Sequence, residues 1–529
     1  MRTSISAPLA AILLVACSNS TETPLQQGSG GNSAGGSTAS GGGSGTGGHV
    51  GTGGTSQAGG ESGKGGSQAT GGVHGTGGST SGNGGSGAGG KTSSGTGGSG
   101  AGGKANPGTG GSGMGGVANP GTGGSGMGGG ANPGAGGAGA GGATTPSTVD
   151  AGTIASGNPE NAGAGCNASS APLLSAAYAK LPNPFNLHDG TAITTKAQWE
   201  CRRNEILQDI YKYEIGPKPE PSTATVKATL SGTNLSVLVT TTSGSLTLKT
   251  AVSGSGSCVV IATDMDLSIV TDCTKVTFST NDVIPYNNGS GSQSQSDPFY
   301  KVYPSLWGKI GNYTAWSWGV SRLIDGLDQV KDQLKIDMTK IATHGCSYAG
   351  KMSLFAGALD ERVALTIVEE SGGGGIDSWR ASADFTKRTS VSVEKIDNTN
   401  YAWFMSSMKS LDPYKLPHDH HELVAAIAPR ATIILGNPGY DWLGDESGYK
   451  STMAAVEVFK ALGVADHIGY DFTGGHAHCS APTTQKNSIN AFVDKFLKAG
   501  TSSTNIAIKP SASNFELTAD FDWTAPTLQ

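Results

Sequence analysis

Apolar and polar positions along this chain fall into two regimes. Between residue 16 and about residue 165 hardly an aliphatic run occurs, so this stretch offers no face to bury. From about residue 166 aromatics, charges and aliphatic runs appear together. Helical spacing over 196–213 precedes alternating or continuous apolar segments over 224–230, 235–241 and 258–261, which predict strands. A helical region is predicted over 306–330 and a buried strand over 336–343. Further strands are predicted over 364–368, 431–435 and 468–472, interleaved with helices over 351–359, 449–462 and 488–498. Strand, helix and strand in repeated order imply an α/β chain, a mostly parallel central sheet covered on both faces in a three-layer αβα sandwich.

Composition sharpens the boundary. The chain has 87 Gly among 529 residues, more than twice the usual share of about 7%. The excess lies in the first 165 residues, which cannot bury enough apolar surface to offset their ordering entropy and are expected to be disordered. Units beginning at Ala105, Ala118 and Ala131 repeat without an apolar face to stack, as in a flexible spacer rather than a solenoid. Residues 166–529 suffice for one large domain.

At the start, Arg2 and the apolar residues 7–16 read as an export signal too short to span a bilayer. The segment ends Leu14-Val15-Ala16-Cys17, a lipobox-like sequence in which Cys17 is the candidate for lipidation. The expected organisation is therefore 1–17 signal, 18–165 linker and 166–529 catalytic domain, a monomer that meets a membrane only through a lipid anchor. A formal net charge of −6 without a basic run argues against nucleic-acid partners. Besides Cys17 the chain carries Cys166, Cys201, Cys258, Cys273, Cys346 and Cys479, and an even number in an exported chain points to disulfides.

The sharpest chemical signal is Gly345-Cys346-Ser347-Tyr348-Ala349-Gly350, between a predicted strand and a predicted helix. Such a strand–turn–helix elbow, here Gly-x-Ser-x-x-Gly, pushes a serine hydroxyl up at a helix N-terminus. A serine needs an imidazole to take its proton and an acid to orient that imidazole. His476 and His478 both follow the last predicted strand, and either could serve. Glu369 and Glu370 end one predicted strand, whereas Asp441 and Asp445 follow the next, the more usual acid position in α/β-hydrolases. Spacing alone leaves both choices open.

The ordered motifs Gly345-Cys346-Ser347-x-x-Gly350-Lys351, Glu370-Ser371-Gly372-x-Gly374-Gly375, Trp379-Arg380, Asp419-His420-His421, Asp441-Trp442-Leu443-Gly444 and His476-Ala477-His478-Cys479 resemble glucuronoyl esterases, carbohydrate esterase family fifteen. The resemblance runs from about Cys166 to the C-terminus and implies an α/β-hydrolase fold. It also implies Ser347 as nucleophile, Glu370 as acid and His478 as base, with Asp441 in reserve. Disulfides Cys346–Cys479 and Cys166–Cys201 are implied in the same way. The remaining Cys258 and Cys273, close in sequence, are expected to pair across a hairpin.

Substrate contacts are implied at Lys351 and Trp442, with Glu394 the best match for an acceptor of sugar hydroxyls and Asn400 a weaker one. Relatives mostly carry Arg directly after the nucleophile. This chain has Tyr348, whose backbone N–H remains an oxyanion donor while the cationic side chain is absent. The implied activity is hydrolysis of esters between (4-O-methyl-)glucuronic acid of xylan and lignin alcohols, with glucuronoxylan and lignin–carbohydrate esters as partners and neither metal nor organic cofactor. An esterase for other cell-wall esters, or a non-catalytic binder of uronic-acid polysaccharides, are the alternatives.

Other residues have structural explanations. His420 and His421 beside Asp419 lack further ligands at metal spacing and are expected to hydrogen-bond structurally. His344 is expected to pack, Arg430 to sit in a buried ion pair, and Trp316 and Trp318 to be core. Gly372 to Gly375, read without a following helix, is expected to be a flexible turn beside Glu370 rather than a phosphate loop.

Overall fold

The computed structural model describes residues 160–161, 166–263, 269–286, 293–511 and 520–529. Expectations for the signal, for Cys17 and for the Gly-rich stretch lie outside these residues, save at residues 160–161, where Glu160 is buried and pairs with Lys218 at 2.7 Å. Strands β1 (Thr225–Ser231), β2 (Asn234–Thr240), β3 (Ser245–Ser253), β4 (Val259–Ala262), β5 (Thr274–Thr277), β6 (Ile341–Cys346), β7 (Val363–Glu369), β8 (Ala431–Leu435), β9 (Ile468–Asp471) and β10 (Ala507–Ile508) form one sheet in the order β1-β2-β3-β5-β4-β6-β7-β8-β9-β10. The pairs β1/β2, β2/β3 and β3/β5 are antiparallel, and the pairs from β5 to β10 are parallel. The helices are α1 (Lys196–Ile210), α2 (Pro298–Val302), α3 (Asn312–Leu334), α4 (Tyr348–Leu359), α5 (Trp379–Thr389), α6 (His420–Ala425), α7 (Asp445–Ala461) and α8 (Thr483–Lys498).

Alternation along the strands sorts side chains into two cores. Val259, Ile261, Ile341 and Ile434 join a large cluster that includes residues of α1, α3, α4, α6 and α7, whereas Val260, Ala342, Ile433 and Leu435 face a smaller one containing Ile489, Phe492 and Val493 of α8. This is the three-layer arrangement the pattern predicts, because a strand with apolar residues on both faces needs a helical cover on each side.

The boundaries differ from the pattern for local reasons. The strand predicted from 336 begins only at Ile341, because Asp337 organises a turn, its carboxylate accepting from Thr339 N–H at 3.0 Å and its carbonyl from Lys340 N–H at 3.0 Å. The helix predicted from 306 starts at Asn312, since Gly308 turns the chain with φ +71°. α1 opens with a Thr195/Gln198 capping box and runs into a wider π turn at Tyr211–Ile215, which sends Glu214 inward. β3, β5, β10, α2, α5 and α6 escape the pattern reading.

Three disulfides form: Cys166–Cys201, Cys258–Cys273 and Cys346–Cys479. The second does not bridge a hairpin. Cys258 and Cys273 precede β4 and β5, which are parallel neighbours with Val259 opposite Thr274, so the cysteines meet where two co-directional strands begin.

Candidate active site

Ser347 sits between β6 and α4 with φ 57° and ψ −125°. A non-glycine residue adopts this conformation only where its surroundings enforce it. Here Ser347 N–H donates to Glu369 carbonyl at 3.0 Å, and its own carbonyl accepts from Lys351 N–H at 3.1 Å, starting the helix. The flanking glycines are steric necessities. A Cβ on Gly345 would stand 2.0 Å from the Ala349 carbonyl oxygen, and one on Gly350 would stand 2.5 Å from that of Glu369. Ala349 therefore suffices where the commoner elbow has its second Gly, and Gly350 makes the close approach to β7 instead. α4 opens with Tyr348 directly after Ser347, so the positive end of a helix lies beside the nucleophile.

The neighbouring strand supplies the acid. Cys346 lies opposite Glu369 in the β6/β7 register, so Ser347 and Glu370 leave adjacent strands at the same level. Glu370, also at positive φ (43°), is wholly buried and donates its N–H to Leu435 carbonyl at 2.7 Å. Its Oε2 accepts from His478 Nδ1 at 2.6 Å. That contact places the proton on Nδ1 and leaves Nε2 as the basic nitrogen. The Cys346–Cys479 disulfide, Cα to Cα 5.6 Å, joins the residue before Ser347 to the residue after His478.

The alternatives left open by spacing are separated by geometry. His476 Nε2 lies 2.8 Å from the Thr473 carbonyl, so it donates there, and its Nδ1 stands 3.6 Å from Glu370 Oε1. Glu369 turns to the opposite face of β7, 3.2 Å from His344 Nε2. Asp441 is exposed at the start of a short 3₁₀ turn. Asp445, half-buried behind the site, is pushed up to about 7 by desolvation, which the charge of Glu370 reinforces.

Around this centre, Lys351 is buried in the first turn of α4 and its Nζ donates to Glu394 Oε2 at 2.6 Å while lying 5.5 Å from the Trp403 ring centroid. Glu394 Oε1 accepts from Thr399 at 2.6 Å. Trp442 is 40% exposed and packs edge-on to the His478 ring at 4.9 Å. Tyr440 OH accepts from His478 N–H at 3.2 Å. Tyr348 stacks on Tyr286 at 3.8 Å, with Trp403 6.1 Å away. Asn400 closes a turn, its Oδ1 accepting from Ala402 N–H at 2.9 Å.

Sequence reasoning did not anticipate Tyr286, Trp403, Tyr440 or Asn437. The last two lie in Asn437-Pro438-Gly439-Tyr440, a turn signal directly after β8 that marks a loop entering the site.

Behind the Gly372–Gly375 turn lies a buried polar network. Glu214 accepts from His418 Nε2 at 2.7 Å, His420 Nε2 at 2.8 Å and Trp379 Nε1 at 3.0 Å. His420 Nδ1 donates to the Gly375 carbonyl, so His420 faces acceptors with both nitrogens and carries both protons. Burial pushes this imidazole down, but Glu214 beside it outweighs burial and raises it. Burial likewise pushes Glu214 up, and the two imidazoles hold it below the usual carboxylate range.

His421 bonds to the Pro182 carbonyl, and Trp316 and Trp318 are core. Two structural expectations need correction. Arg430 makes no ion pair in the described residues but donates to the carbonyls of Gly357, Asp360 and Val363 at 2.6–3.1 Å, capping the end of α4. The Gly372–Gly375 turn is followed by a helix, α5, yet the carboxylate of Asp419 occupies that helix's first N–H groups, at 2.7 Å from Trp379 N and 3.2 Å from Arg380 N.

Comparison with known proteins bears directly on this site. The family model of fungal glucuronyl esterases matches residues 232–463. A 4-O-methyl-glucuronoyl methylesterase of Podospora anserina is 36% identical over 366 residues, covering 66% of this chain and 75% of that protein. A glucuronoyl esterase variant from Sporotrichum thermophile, solved in complex with methyl 4-O-methyl-beta-D-glucopyranuronate, superposes with a TM-score of 0.63 at 34% identity over 69% of this chain and 100% of that one. A carbohydrate esterase family 15 glucuronoyl esterase from Caldicellulosiruptor kristjansonii gives 0.56 at 27% identity, over 65% and 97%. The chain belongs to the glucuronoyl esterase family, carboxylic ester hydrolases of the α/β-hydrolase fold.

Proposed function

We propose that this protein hydrolyses esters of (4-O-methyl-)glucuronic acid, those joining xylan to lignin alcohols among them, by acyl transfer through Ser347. The observation that carries the reading is the 2.6 Å contact between Glu370 and His478 Nδ1, on a loop bound covalently to the residue before Ser347. His478 Nε2 takes the Ser347 proton as Oγ attacks the ester carbonyl. The oxyanion forms beside the N–H groups that open α4, and collapse of the tetrahedral intermediate passes the proton from His478 to the leaving alcohol. Water, deprotonated by the same nitrogen, then releases glucuronate and restores Ser347.

Lys351, held by Glu394 and lying over Trp403, presents donors to the uronate oxygens, and Trp442 offers an apolar face beside the base. Three disulfides fit an exported protein, in agreement with the apolar segment near the N-terminus and with an anchor at Cys17.

The test is release of glucuronate from benzyl glucuronate by the full chain and by Ser347→Ala. Serine-dependent hydrolysis is expected, with the thermal transition of the variant near that of the parent. Activity retained in Ser347→Ala overturns the nucleophile, and a folded parent that releases no glucuronate overturns the substrate.

A further inference from the structure

Asn437 stands two residues beyond β8, fully buried, between the loops that carry the acid and the base. Its amide is oriented by its surroundings. The Oδ1 accepts from Gly439 N–H at 3.2 Å, which leaves Nδ2 as the donor on the other side. There Nδ2 reaches the His476 carbonyl at 3.1 Å and Glu370 Oε2 at 3.4 Å. It also lies 3.3 Å from His476 Nδ1, which itself stands 3.1 Å from the Ala477 carbonyl. The backbone N–H of Asn437 is bound in turn by Asp445 Oδ1 at 3.2 Å.

The oxygen that Asn437 touches is the one that receives His478 Nδ1. A carboxylate with one strong partner can rotate about its terminal torsion, whereas one held by a second donor keeps its lone pair on the imidazole. The same NH₂ group grips the carbonyl of His476, two residues before His478, so one side chain ties the acid to the loop of the base. No other described side chain donates to Glu370 besides His478 and Asn437.

We propose that Asn437 is a positioning residue for the reaction: it fixes the Glu370 carboxylate against His478 and sets the loop that delivers the imidazole. This inference rests on Glu370 acting as the acid. Groups facing the amide that titrate or carry charge are Glu370, His476 and, through the backbone, Asp445.

A double-mutant cycle on the full chain tests it, read as kcat and KM on benzyl glucuronate. Asn437→Ala is expected to lower kcat on the order of tenfold to a hundredfold with KM little changed, as for loss of alignment at a reacting centre. In a Glu370→Ala background the same change is expected to cost much less, because the carboxylate it positions is gone and only its hold on the His476 carbonyl remains. An equal loss in both backgrounds assigns Asn437 a merely structural role and overturns the proposal, as does an undiminished kcat in the single variant.

Glu370→Ala measured alone separates the two claims, since a Glu370 variant with full activity removes the acid assignment before the cycle is closed. The isosteric Asn437→Asp covers a folding failure of the alanine variant. It removes the Nδ2 donor while keeping the shape of the side chain, and is expected to lower kcat with KM little changed. An undiminished kcat in this variant overturns the proposal.

Discussion

The Cys346–Cys479 bridge closes a loop of 133 residues, against 35 for Cys166–Cys201 and 15 for Cys258–Cys273. If cross-links act by restricting the unfolded chain, their contributions scale with the logarithm of loop length, at about 5, 4 and 3 kcal/mol respectively. Paired Cys→Ala replacements, one bridge at a time, should therefore lower the free energy of denaturant unfolding in that order. The largest loss is comparable to the whole stability of a marginal domain, ~5–15 kcal/mol.

The bridges also differ in what they hold. Cys258–Cys273 ties the starts of β4 and β5, whereas Cys346–Cys479 ties the backbone of the proposed nucleophile to that of the proposed base. Cys346→Ala/Cys479→Ala should accordingly lose kcat on benzyl glucuronate at a temperature where the protein remains folded, and Cys258→Ala/Cys273→Ala should not. If removing the 133-residue bridge costs no more stability than removing the 15-residue one, the loop-closure reasoning is wrong. If kcat is the same in both folded variants, the clamp has no part in alignment.

Two further outcomes are expected from the packing around the site. Tyr348→Arg restores a cationic donor next to Ser347 and should raise turnover, at a cost of about 0.5–1.5 kcal/mol from the lost stack on Tyr286; a folded variant with unchanged kcat argues against the oxyanion account. Glu214→Gln takes from His420 the carboxylate that raises it most, leaving only Asp419 beside the imidazole, and should destabilise the fold by up to about 3–5 kcal/mol near pH 6.

The pH dependence of that second loss follows from the directions of the two shifts. Glu214 is lowered in the fold, so its contribution is present above its unfolded value of about 4.3 and fades as pH falls through the folded one. His420 is raised, so its contribution is full below about 6.5 and is lost as pH rises through its folded value. Parent and variant stabilities should therefore differ most between those limits and converge at high pH. A difference that grows above neutrality contradicts the charged pair.

Much of the molecule is legible along the chain. Largely apolar runs at β7 and β8, with helical spacing before and between them, require a parallel sheet with helices on both faces, since each such strand must bury both its sides. The elbow is local as well: Gly345 and Gly350 are needed by backbone approaches within a few residues of Ser347 or to the next strand, and such needs leave a mark in sequence.

Which acid meets which histidine is a different matter. Glu369 and Glu370 are neighbours in sequence, but strand alternation and the positive φ at Glu370 send one to His344 and the other to His478, 108 residues away. The pairing of Glu214 with His418 and His420 spans 204 and 206 residues, and Asn437 reaches Glu370 across 67. Periodicity and turn chemistry report only what a segment needs from its near neighbours. Contacts between strand ends depend on sheet order and register, which the whole core sets together, so spacing left these partners open: the family motifs pointed to Glu370 and His478, whereas the contacts of Glu214 and Asn437 were decided by the tertiary structure alone.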